Sequence, residues 1–540
     1  MTVFRTPISV ILRGNIVKNG KTLLSGVDPV RRAEKTADAI SLKERTLYLC
    51  PSVLYGYGIA RLLSRLETET TGCAILCVEA DPELYDLTLQ NIDSQLTDNK
   101  NLLITNVCKP EELLALIIGK WGELSFRRAE MIKFTGGWQL FPELYANLCE
   151  CLRGEIATGW SNALTITKFG RLYIRNVLRN ISLVPQFKSV SDLSFGNLPV
   201  LVLGAGPSLD DILDRLTAEE RRFKIVCVDT CLGALKDRGI VPDLVVILES
   251  QHWNLRDFIG CRGWKADAAV DLSSLPSSAK LLAGNGYLFF TPWTGLRIFD
   301  RLRGTGLLPA IFPPLGSVGL TAVELARRLT SGKIICSGLD FSFTADKYHA
   351  RSTPGHRGKL NTQARFRCLF NSAVFNDSSI AAVSKSGQPV YTSPIMKNYR
   401  NLFEQEFGKD LRIFDIEGTG LPLGLKTLSM DDAINLLKID AEEKVSEVSA
   451  GTEDSIRGKN SELMYFFESE KKRLIKLRDI LTGDTAMDKE RLSVLIDECD
   501  YLWAHFPDCA GGRQPNPQDA SFLKRVRAEI DPMVKLLRMI

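Results

Sequence analysis

The chain has 540 residues, of which 45% are hydrophobic and 24% are charged, and its formal net charge is +4. Because one hydrophobic core does not support a chain of this length, we expect roughly three to four domains. No run of about 18 apolar residues predicts a membrane span, and the spread of Lys and Arg along the chain argues against nucleic-acid binding.

The cysteines and the first residues indicate the cellular compartment. The thirteen cysteines form no CxxC pair, and most lie within apolar runs such as CAILC, Cys73 to Cys77. We therefore predict buried free thiols rather than disulfides or a metal site. Residues 1–20 lack a basic segment followed by an apolar segment and a cleavage site, so we expect a cytoplasmic protein.

Residues 1–45 predict one strand pair and a helical stretch, and residues 46–92 predict a strand, a glycine turn, a helix and a second strand. The turn contains Gly56 and Gly58, and the second strand ends at Glu79. Rossmann-type enzymes seat a ribose with a glycine turn and an acid in these places. A turn that packs tightly against its own helix needs the same glycines, so a ligand site and a purely structural turn both remain open.

Residues 198–343 alternate apolar runs with helical segments, which predicts a mostly parallel α/β sheet. The runs are PVLVLGAG, FKIVCVDT, PDLVVILES, DAAVDLSS, GYLFFTP and KIICSGLDFSF. After about residue 425, apolar residues recur at helical spacing and predict an amphipathic bundle. These residues are Leu463, Phe466, Phe467, Leu474, Leu477 and Leu481.

The predicted fold class is α/β with three domains. A Rossmann-like domain covers residues 1–190, a mostly parallel sheet domain covers residues 191–425, and a helical bundle covers residues 426–540. Met533, Val534 and Leu537 of the last helix could dock a partner helix. Because amphipathic helices usually bury such a face in their own domain, we expect self-packing instead.

Residues 198–210, LPVLVLGAGPSLD, contain a glycine turn after a predicted strand. The turn residues are Gly204, Ala205, Gly206, Pro207 and Ser208. They would lead into a helix whose unpaired N–H groups form an anion site. Leu209 stands where a dinucleotide fingerprint has its third glycine, and no GK[ST] follows to make a triphosphate loop. The turn therefore predicts a site for a mononucleotide or a nucleotide sugar.

Polar residues follow the other predicted strands, at the edge where a parallel sheet binds ligands. They are Asp229, Thr230, Glu249, Ser250, Gln251, Ser337, Gly338 and Asp340. A second glycine turn, with Gly316 and Ser317, precedes another helix and offers further N–H groups. One acid at a strand end is most simply a helix cap, but several strands that end this way predict a shared site.

The histidines supply candidates for proton transfer. His349 follows the GLD strand end in a polar loop and is the best general acid or base by position, although a surface histidine explains it equally well. Thr344 lies in the same loop and joins the predicted site, and His356 lies in that loop without an assigned role. His252 is the second candidate because QHWN also follows a strand, whereas His505 lies in the helical tail without an evident role.

A series of motifs in fixed order resembles the motility accessory factor (Maf) glycosyltransferases, bacterial proteins that modify flagellin. The motifs are GAGPSLD, GIVPDLVVILESQHWN, PPLGSVGLTAVELA, GLDFSFTADKYHA and FDIEGTGLPLGL. The resemblance implies a central domain similar to bacterial sialyltransferases and archaeal 6-hydroxymethylpterin diphosphokinases, between a Rossmann-like and a helical domain. It also implies transfer of a nonulosonic acid, of the pseudaminic or legionaminic type, from a CMP-activated donor to Ser or Thr of flagellin.

The same resemblance implies roles for the matching residues. Gly204, Gly206 and Ser208 would face the nucleotide, and Asp229 and Glu249 would face the sugar or ribose. The rim would be completed by Gly316, Ser317, Gly338 and Asp340, with Ala205, Pro207, Thr230, Gln251 and Thr344 beside them. His349 would protonate the departing phosphate or donate a hydrogen bond to it, with Asp340 as the second catalytic residue. The central domain has no DxD pair, so we predict transfer without a metal or a cofactor.

Two other functions remain open. The central domain could transfer diphosphate from ATP to a hydroxymethylpterin, although the archaeal enzymes of this kind are shorter and lack the flanking domains. The chain could instead be a non-catalytic assembly factor that binds flagellin through its helical domain. The polar residues at the strand ends favour an enzyme over the second alternative.

Overall fold

The structure is a computed structural model that describes residues 11–12, 15–24, 26–216, 222–366, 374, 378–438, 453–483, 489–509 and 515–540. The chain divides into two compact units. The first comprises Met1–Lys168 and Ala504–Pro515, and the second comprises Phe169–Trp503 and Asn516–Ile540. The strand pair predicted near the start of the chain lies partly outside the described residues.

The first unit contains a parallel sheet of Rossmann-like type and a small antiparallel sheet. The strands of this unit are β1 (Ile11–Leu12), β2 (Asn15–Lys18), β3 (Lys21–Thr22), β4 (Thr46–Pro51), β5 (Ala74–Val78), β6 (Leu102–Thr105) and β7 (Arg128–Met131). Its helices are α1 (Pro29–Ala39), α2 (Ile59–Glu69), α3 (Pro82–Asn91), α4 (Ser94–Thr97), α5 (Pro110–Trp121) and α6 (Pro142–Ile181), which continues into the second unit. The first three strands form an antiparallel sheet, and the other four form a parallel sheet in the order β6-β5-β4-β7. The strand, turn, helix and strand predicted over residues 46–92 are thus confirmed.

The glycines of the turn between β4 and α2 are explained by close packing. Gly56 and Gly58 both have positive φ, at 72° and 83°. A Cβ atom at Gly58 would lie 2.8 Å from the ring of Phe134 and 2.9 Å from the carbonyl oxygen of Ala33. A side chain at this position would therefore clash as well as strain the backbone. At the end of β5, Glu79 is buried, and burial raises the pKa of its carboxyl to about 7.

The second unit contains most of the strands. They are β8 (Lys188–Ser189), β9 (Val200–Leu203), β10 (Lys224–Val228), β11 (Leu244–Ile247), β12 (Asp267–Asp271), β13 (Gly286–Phe290), β14 (Ala310–Ile311), β15 (Ile334–Ser337), β16 (Ile380–Val383), β17 (Pro389–Thr392), β18 (Ile413–Ile416) and β19 (Lys426–Leu428). Its further helices are α7 (Leu209–Leu213), α8 (Leu232–Asp237), α9 (Arg297–Gly304), α10 (Val318–Leu329), α11 (Pro354–Asn361), α12 (Pro394–Phe407), α13 (Met430–Leu437), α14 (Glu453–Thr482), α15 (Lys489–Glu498) and α16 (Ala520–Met539). All six predicted apolar runs are strands of one sheet, which confirms the α/β class.

The ten-stranded sheet has a topological switch point between β9 and β15. Its order is β14-β13-β12-β11-β10-β9-β15-β18-β19, with β8 beside β13, and its strand pairs are parallel. The chain adds β10 to β14 on one side of β9, and after α10 it adds β15 on the other side. Ligands of open parallel sheets bind in the crevice at the carboxyl ends of strands at such a point. The antiparallel pair of β16 and β17 lies outside this sheet.

Helix α14 packs against α15 and α16, and α15 also packs against α9. The helical spacing predicted for α14 is confirmed, since Leu474 and Leu477 are fully buried, whereas Leu481 is half-buried. Met533, Val534 and Leu537 are buried too, which confirms self-packing of the last helix. Among the described residues, no helix is long and apolar enough to span a membrane.

The compact units divide the chain within α6, whereas the domain boundary near residue 190 stays a prediction. The polar stretch SVSDLSFGN, taken as the end of the first domain, begins with Ser189 of β8, which pairs with β13. Two asparagines of α6 also contact the strand-end loops of the second unit. The helix therefore contributes to the surroundings of the large sheet as far as its last turns.

A buried carboxylate joins α14 to α9. Glu470 of α14 is 1% exposed and accepts hydrogen bonds from Arg301 of α9 at 2.6 and 3.0 Å. Arg473 at 2.7 Å and the hydroxyl of Tyr501 at 3.3 Å also donate to it. Removal of one member of a buried ion pair leaves the partner charge without compensation.

We expect Glu470→Ala to lower the free energy of unfolding by about 2–4 kcal/mol, because two arginines lose their shared counter-ion. Chemical denaturation of the full chain measures this loss. Glu468→Ala is the matched control, since this exposed carboxylate on the same helix pairs only with Lys471 at the surface. The control should change stability by less than about 0.5 kcal/mol. Equal effects of the two substitutions would contradict a structural role for the buried carboxylate.

Candidate functional site

The glycine turn after β9 lies against the loop after β15, directly at the switch point. Gly204 N donates to the carbonyl oxygen of Ser337, and Gly206 N donates to that of Gly338, both at 2.8 Å. A Cβ atom at Gly204 would lie 2.4 Å from the Gly338 oxygen. Only glycine permits this approach of two backbones, so the turn and the GLD segment are held together as predicted.

The donors of Ser208 are occupied by a carboxylate of the chain itself. Asp340 is buried, and its two carboxylate oxygens accept from Ser208 N at 2.7 Å and from the Ser208 hydroxyl at 2.5 Å. The sequence predicted that this N–H group faces a ligand, at the start of a longer helix. The helix α7 has only five residues. A buried carboxylate needs donors nearby, and Ser208 supplies them.

A buried ion pair continues from Asp340 toward β18. Lys385, in the turn between β16 and β17, pairs with Asp415 at 2.6 Å, and both side chains are buried. Burial raises the pKa of Asp415 to about 6, and the charge of Asp340 adds to this rise. Burial raises the pKa of Asp340, and the positive charge of Lys385 offsets part of this rise. Sequence reasoning missed Lys385 because its hairpin carries no recognisable motif.

His349 also lies against the glycine turn. Its ring makes a hydrogen bond with the backbone of Ala205, and the N–H of Ala350 donates to the Ala205 oxygen at 3.0 Å. Burial lowers the pKa of His349, although the contact with Ala205 raises it. An imidazole whose pKa lies below its ordinary value is mostly neutral at pH 7, with one ring nitrogen as a donor and the other as an acceptor.

A second group of polar residues lies after β10 and β11 and is called the acidic cluster here. It comprises Asp229, Glu249, Asn254 and Asp257. The Asn254 amide donates to Asp229 at 2.6 Å and to Asp257 at 3.3 Å. Burial raises the pKa of Asp229 to about 6, and burial together with the charge of Asp229 raises that of Asp257 to about 7.

The acidic cluster contains one buried acceptor without a partner among the described residues and one exposed carboxylate. The Oδ1 atom of buried Asn254 has no hydrogen-bond partner among the described residues. Glu249 is exposed, and its carboxylate accepts from the N–H of Gln251 at 2.9 Å. Sequence reasoning missed Asn254 and Asp257, although QHWN was singled out for His252. That histidine is exposed at the start of the same 3-10 turn.

The remaining predicted residues are less closely connected. Thr230 donates both its N–H and its hydroxyl to Asp229. Gly316 has a φ of 69°, and Ser317 caps α10 without a side-chain bond. The Thr344 hydroxyl donates to Asp346 at 2.7 Å. Within the described residues, no hydrogen bond connects Gly316, Ser317 or Thr344 to the glycine turn.

Two asparagines on α6 fix the loops beside the acidic cluster. Asn176 donates to the carbonyl oxygens of Ser250 and Ser273 at 3.1 and 3.0 Å. Asn180, one turn later, donates to those of Leu272 and Ser274 at 3.0 and 2.8 Å. Both side chains are buried, so each amide bridges backbone groups that would otherwise lack donors. The strand-end loops are thereby held by a single helix.

Basic residues lie on both sides of His349 along the chain. Lys347 pairs with buried Asp210 at 2.6 Å, and the backbone N–H of Arg351 donates to the same carboxylate at 3.2 Å. The Arg351 side chain is 68% exposed. Its guanidinium lies 3.8 Å from Asp210, so Asp210 pairs with both cations of this segment, and the exposed Arg351 side chain remains accessible to a ligand. In the part of the chain that the structure describes, no group of three His, Cys, Asp or Glu residues has metal-binding geometry.

Comparisons with known proteins agree with this arrangement. Residues 173–346 match the family model for 6-hydroxymethylpterin diphosphokinase MptE-like proteins. The solved structure of the Maf glycosyltransferase from Magnetospirillum magneticum AMB-1 matches 97% of this chain and 89% of its own, with a TM-score of 0.53 and 14% identity. The chain has the Maf glycosyltransferase fold. The family resemblance that the motifs indicated is thus confirmed at the level of fold.

Relatives by sequence come from Treponema pallidum (strain Nichols). One uncharacterized protein is 27% identical over 532 residues, which are 94% of this chain and 90% of that protein. A second is 26% identical over 84 residues, 16% of this chain and 40% of that protein. The first similarity therefore covers both compact units.

We expect the acidic cluster to make stability depend on pH. The pKa of Asp257 is near 3.8 in the unfolded chain and about 7 in the folded chain. A group whose pKa is higher in the folded than in the unfolded chain stabilises the fold fully at pH values below its unfolded pKa. This stabilisation is lost as the pH rises through its folded pKa. Asp257→Asn should therefore raise the free energy of unfolding more at pH 8 than at pH 4, by on the order of 1 kcal/mol. This figure is reduced because the side chain is partly exposed.

Thermal unfolding at the two pH values measures the effect. Asp300→Asn is the control, because this carboxylate on α9 is exposed. It should shift the midpoint by the same small amount at both pH values. A variant of Asp257 that behaves like the control would contradict the raised pKa.

Proposed function

We propose that the chain is a glycosyltransferase that moves a nonulosonic acid from a CMP-activated donor to Ser or Thr of flagellin, in support of flagellar assembly and motility. The observation that carries the proposal is the convergence of the glycine turn, His349 and the acidic cluster at the carboxyl ends of adjacent parallel strands. Ligand sites of open α/β sheets lie at this edge. The Maf-like fold of the whole chain supports the reaction class.

In the proposed complex the donor spans the two polar groups. Its phosphate lies near the glycine turn, where Arg351 and Lys347 supply positive charge and the start of α10 adds N–H groups. Hydroxyls of the ribose or the sugar donate to the acidic cluster, whose free Asn254 oxygen needs a donor. Asp340 acts as a positioning residue, since it holds Ser208 and thereby the turn.

The proposed reaction replaces one bond at the anomeric carbon by another. The bond to the phosphate oxygen breaks and leaves CMP, while the acceptor hydroxyl forms the new bond and loses its proton. The role assigned to His349 from the sequence was proton donation to the phosphate. With one ring N–H on Ala205 and a lowered pKa, a neutral His349 is better suited to accept the hydroxyl proton.

The cytoplasm is the proposed site of action. The twelve cysteines of the described residues are free thiols, including buried Cys227 of β10 and buried Cys231 just after it. Free thiols in this number fit a reducing compartment. A CMP-activated donor and unexported flagellin would meet the enzyme there.

A pterin diphosphokinase is the second candidate function, because residues 173–346 match the MptE-like family model. In that case the turn would hold a nucleoside triphosphate. The turn lacks a following GK[ST], and Asp340 occupies the donors of Ser208, so the structure offers few groups for three phosphates. We therefore rank this activity below glycosyl transfer.

We expect the purified chain to bind CMP and neither ATP nor NAD in calorimetric titrations after metal removal. The acidic cluster and the positively charged segment beside the glycine turn suit one phosphate and a set of hydroxyls. ATP binding alone would favour the diphosphokinase. Absence of binding by all three nucleotides would favour the non-catalytic assembly factor.

His349→Ala should lower glycan transfer by about 10²–10⁴-fold, the usual contribution of one proton-transfer group. CMP affinity should stay within about threefold, because the acceptor hydroxyl and not the nucleotide meets this side chain. Mass spectrometry of flagellin co-incubated with donor and enzyme measures transfer. His252→Ala is the control, since this histidine is exposed on the same sheet edge, and it should retain activity. Loss of transfer in the control but not in His349→Ala would reverse the assignment.

A further inference from the structure

A basic groove lies in the first compact unit, between α1 and the residues that follow β7. Its volume is about 1000 Å³. Four basic side chains line it, Arg31, Arg32, Lys35 and Lys133, against one acidic side chain, Asp28. The groove therefore has an excess of positive charge that the predicted site residues do not explain.

The cations of the groove are not neutralised within the described part of the chain. The carboxylate of Asp28 accepts the backbone N–H of Arg31 at 2.9 Å and thus caps α1. No ion pair connects Arg31, Arg32 or Lys35 to a described acid. Arg31 and Lys35 lie one helical turn apart, where like charges repel. An anionic partner would relieve this repulsion.

Lys133 brings charge to the groove from the opposite wall. Its ammonium group lies 3.6 Å from the centre of the Trp138 ring, which holds the side chain by a cation–π contact. Between the cations the lining is apolar, with Ile40 and Met131 among the residues. Val27 at the rim is 97% exposed. A ligand for this groove therefore combines negative charges with apolar groups.

The neighbouring strand favours an extended chain as the ligand. Within the described residues, β7 is an edge strand whose one neighbour in the sheet is β4. Edge strands pair with extended peptides through backbone hydrogen bonds. The groove is also open to solvent, whereas small-molecule sites enclose most of their ligand. We propose that the groove binds an acidic, extended segment of the protein acceptor, an inference that rests on the proposed function for the identity of that protein.

The test measures binding of a fluorescein-labelled peptide of alternating Glu and Val to the full chain, by fluorescence anisotropy. Arg31→Glu/Lys35→Glu should weaken binding by about tenfold or more, because attraction becomes repulsion. Higher ionic strength should weaken binding to the unmodified chain as well. Arg31→Gln/Lys35→Gln should give an intermediate loss, which keeps the test valid if the double Glu variant unfolds.

Lys100→Glu/Lys120→Glu is the matched control. Both lysines are exposed, their substitution changes the net charge equally, and they lie by β6 at the opposite edge of the parallel sheet. This variant should bind the peptide within about twofold of the unmodified chain. Equal losses in the two double Glu variants would overturn the groove, since only the overall charge would then matter.

Competition distinguishes the other anionic ligands. Inorganic phosphate, CMP and phosphatidylserine vesicles should not displace the peptide at matched charge concentration. Displacement by phosphate or CMP would overturn the proposal in favour of a small-anion site, and displacement by vesicles would overturn it in favour of a membrane surface. CMP binding by the groove variants should equal that of the unmodified chain. A chain that binds the peptide but not CMP would contradict the proposed function and leave the groove in place.

Discussion

The contact between Ser208 and Asp340 is the interaction on which the candidate site depends. It joins the loops after β9 and β15, the two strands that flank the switch point of the sheet. The carboxylate is buried, so without the serine donors its desolvation would cost several kcal/mol. The loops can approach closely enough for this bond only because Gly204 and Gly206 lack side chains. The close approach of the two loops therefore depends on Gly204, Gly206 and the contact between Ser208 and Asp340.

The same buried charge extends the site beyond the sheet. Asp340 interacts electrostatically with Lys385, which pairs with Asp415 at the end of β18. A lysine buried this deeply is tolerated because a carboxylate compensates its charge. The hairpin of β16 and β17 is thereby fixed to the sheet by its turn. An anion that approached the glycine turn would meet two carboxyl groups, Asp340 and Asp415, against the one ammonium group of Lys385. It would therefore depend on the more exposed Lys347 and Arg351 for attraction.

The sequence allowed the prediction of the sheet and of part of the site, for identifiable reasons. The apolar runs of β9 to β13 and β15 are continuous because both faces of a parallel sheet are covered, and such runs are visible in a single sequence. His349 and Gly338 were found because they follow a strand. The hydrogen bond between Ser208 and Asp340 could not be predicted, since it connects residues 132 positions apart in the sequence. Lys385 and Asn176 lie in a hairpin and a long helix, where neither spacing nor composition indicates what they contact.

The glycine turns after β4 and β9 show why such a turn does not identify a ligand by itself. Gly58 is required by contacts with Phe134 and Ala33, and Gly204 is required by a contact with Gly338. Both are thus explained by packing, as the structural interpretation of the first turn allowed. What distinguishes the turn after β9 is its surroundings: a mostly neutral His349, the buried carboxyl of Asp340, and a nearby cluster of acids with raised pKa values. Buried groups with shifted pKa values occur more often at functional sites than elsewhere in proteins. The case for chemistry at the large sheet therefore rests on its buried polar groups, and the glycines account only for how those groups come together.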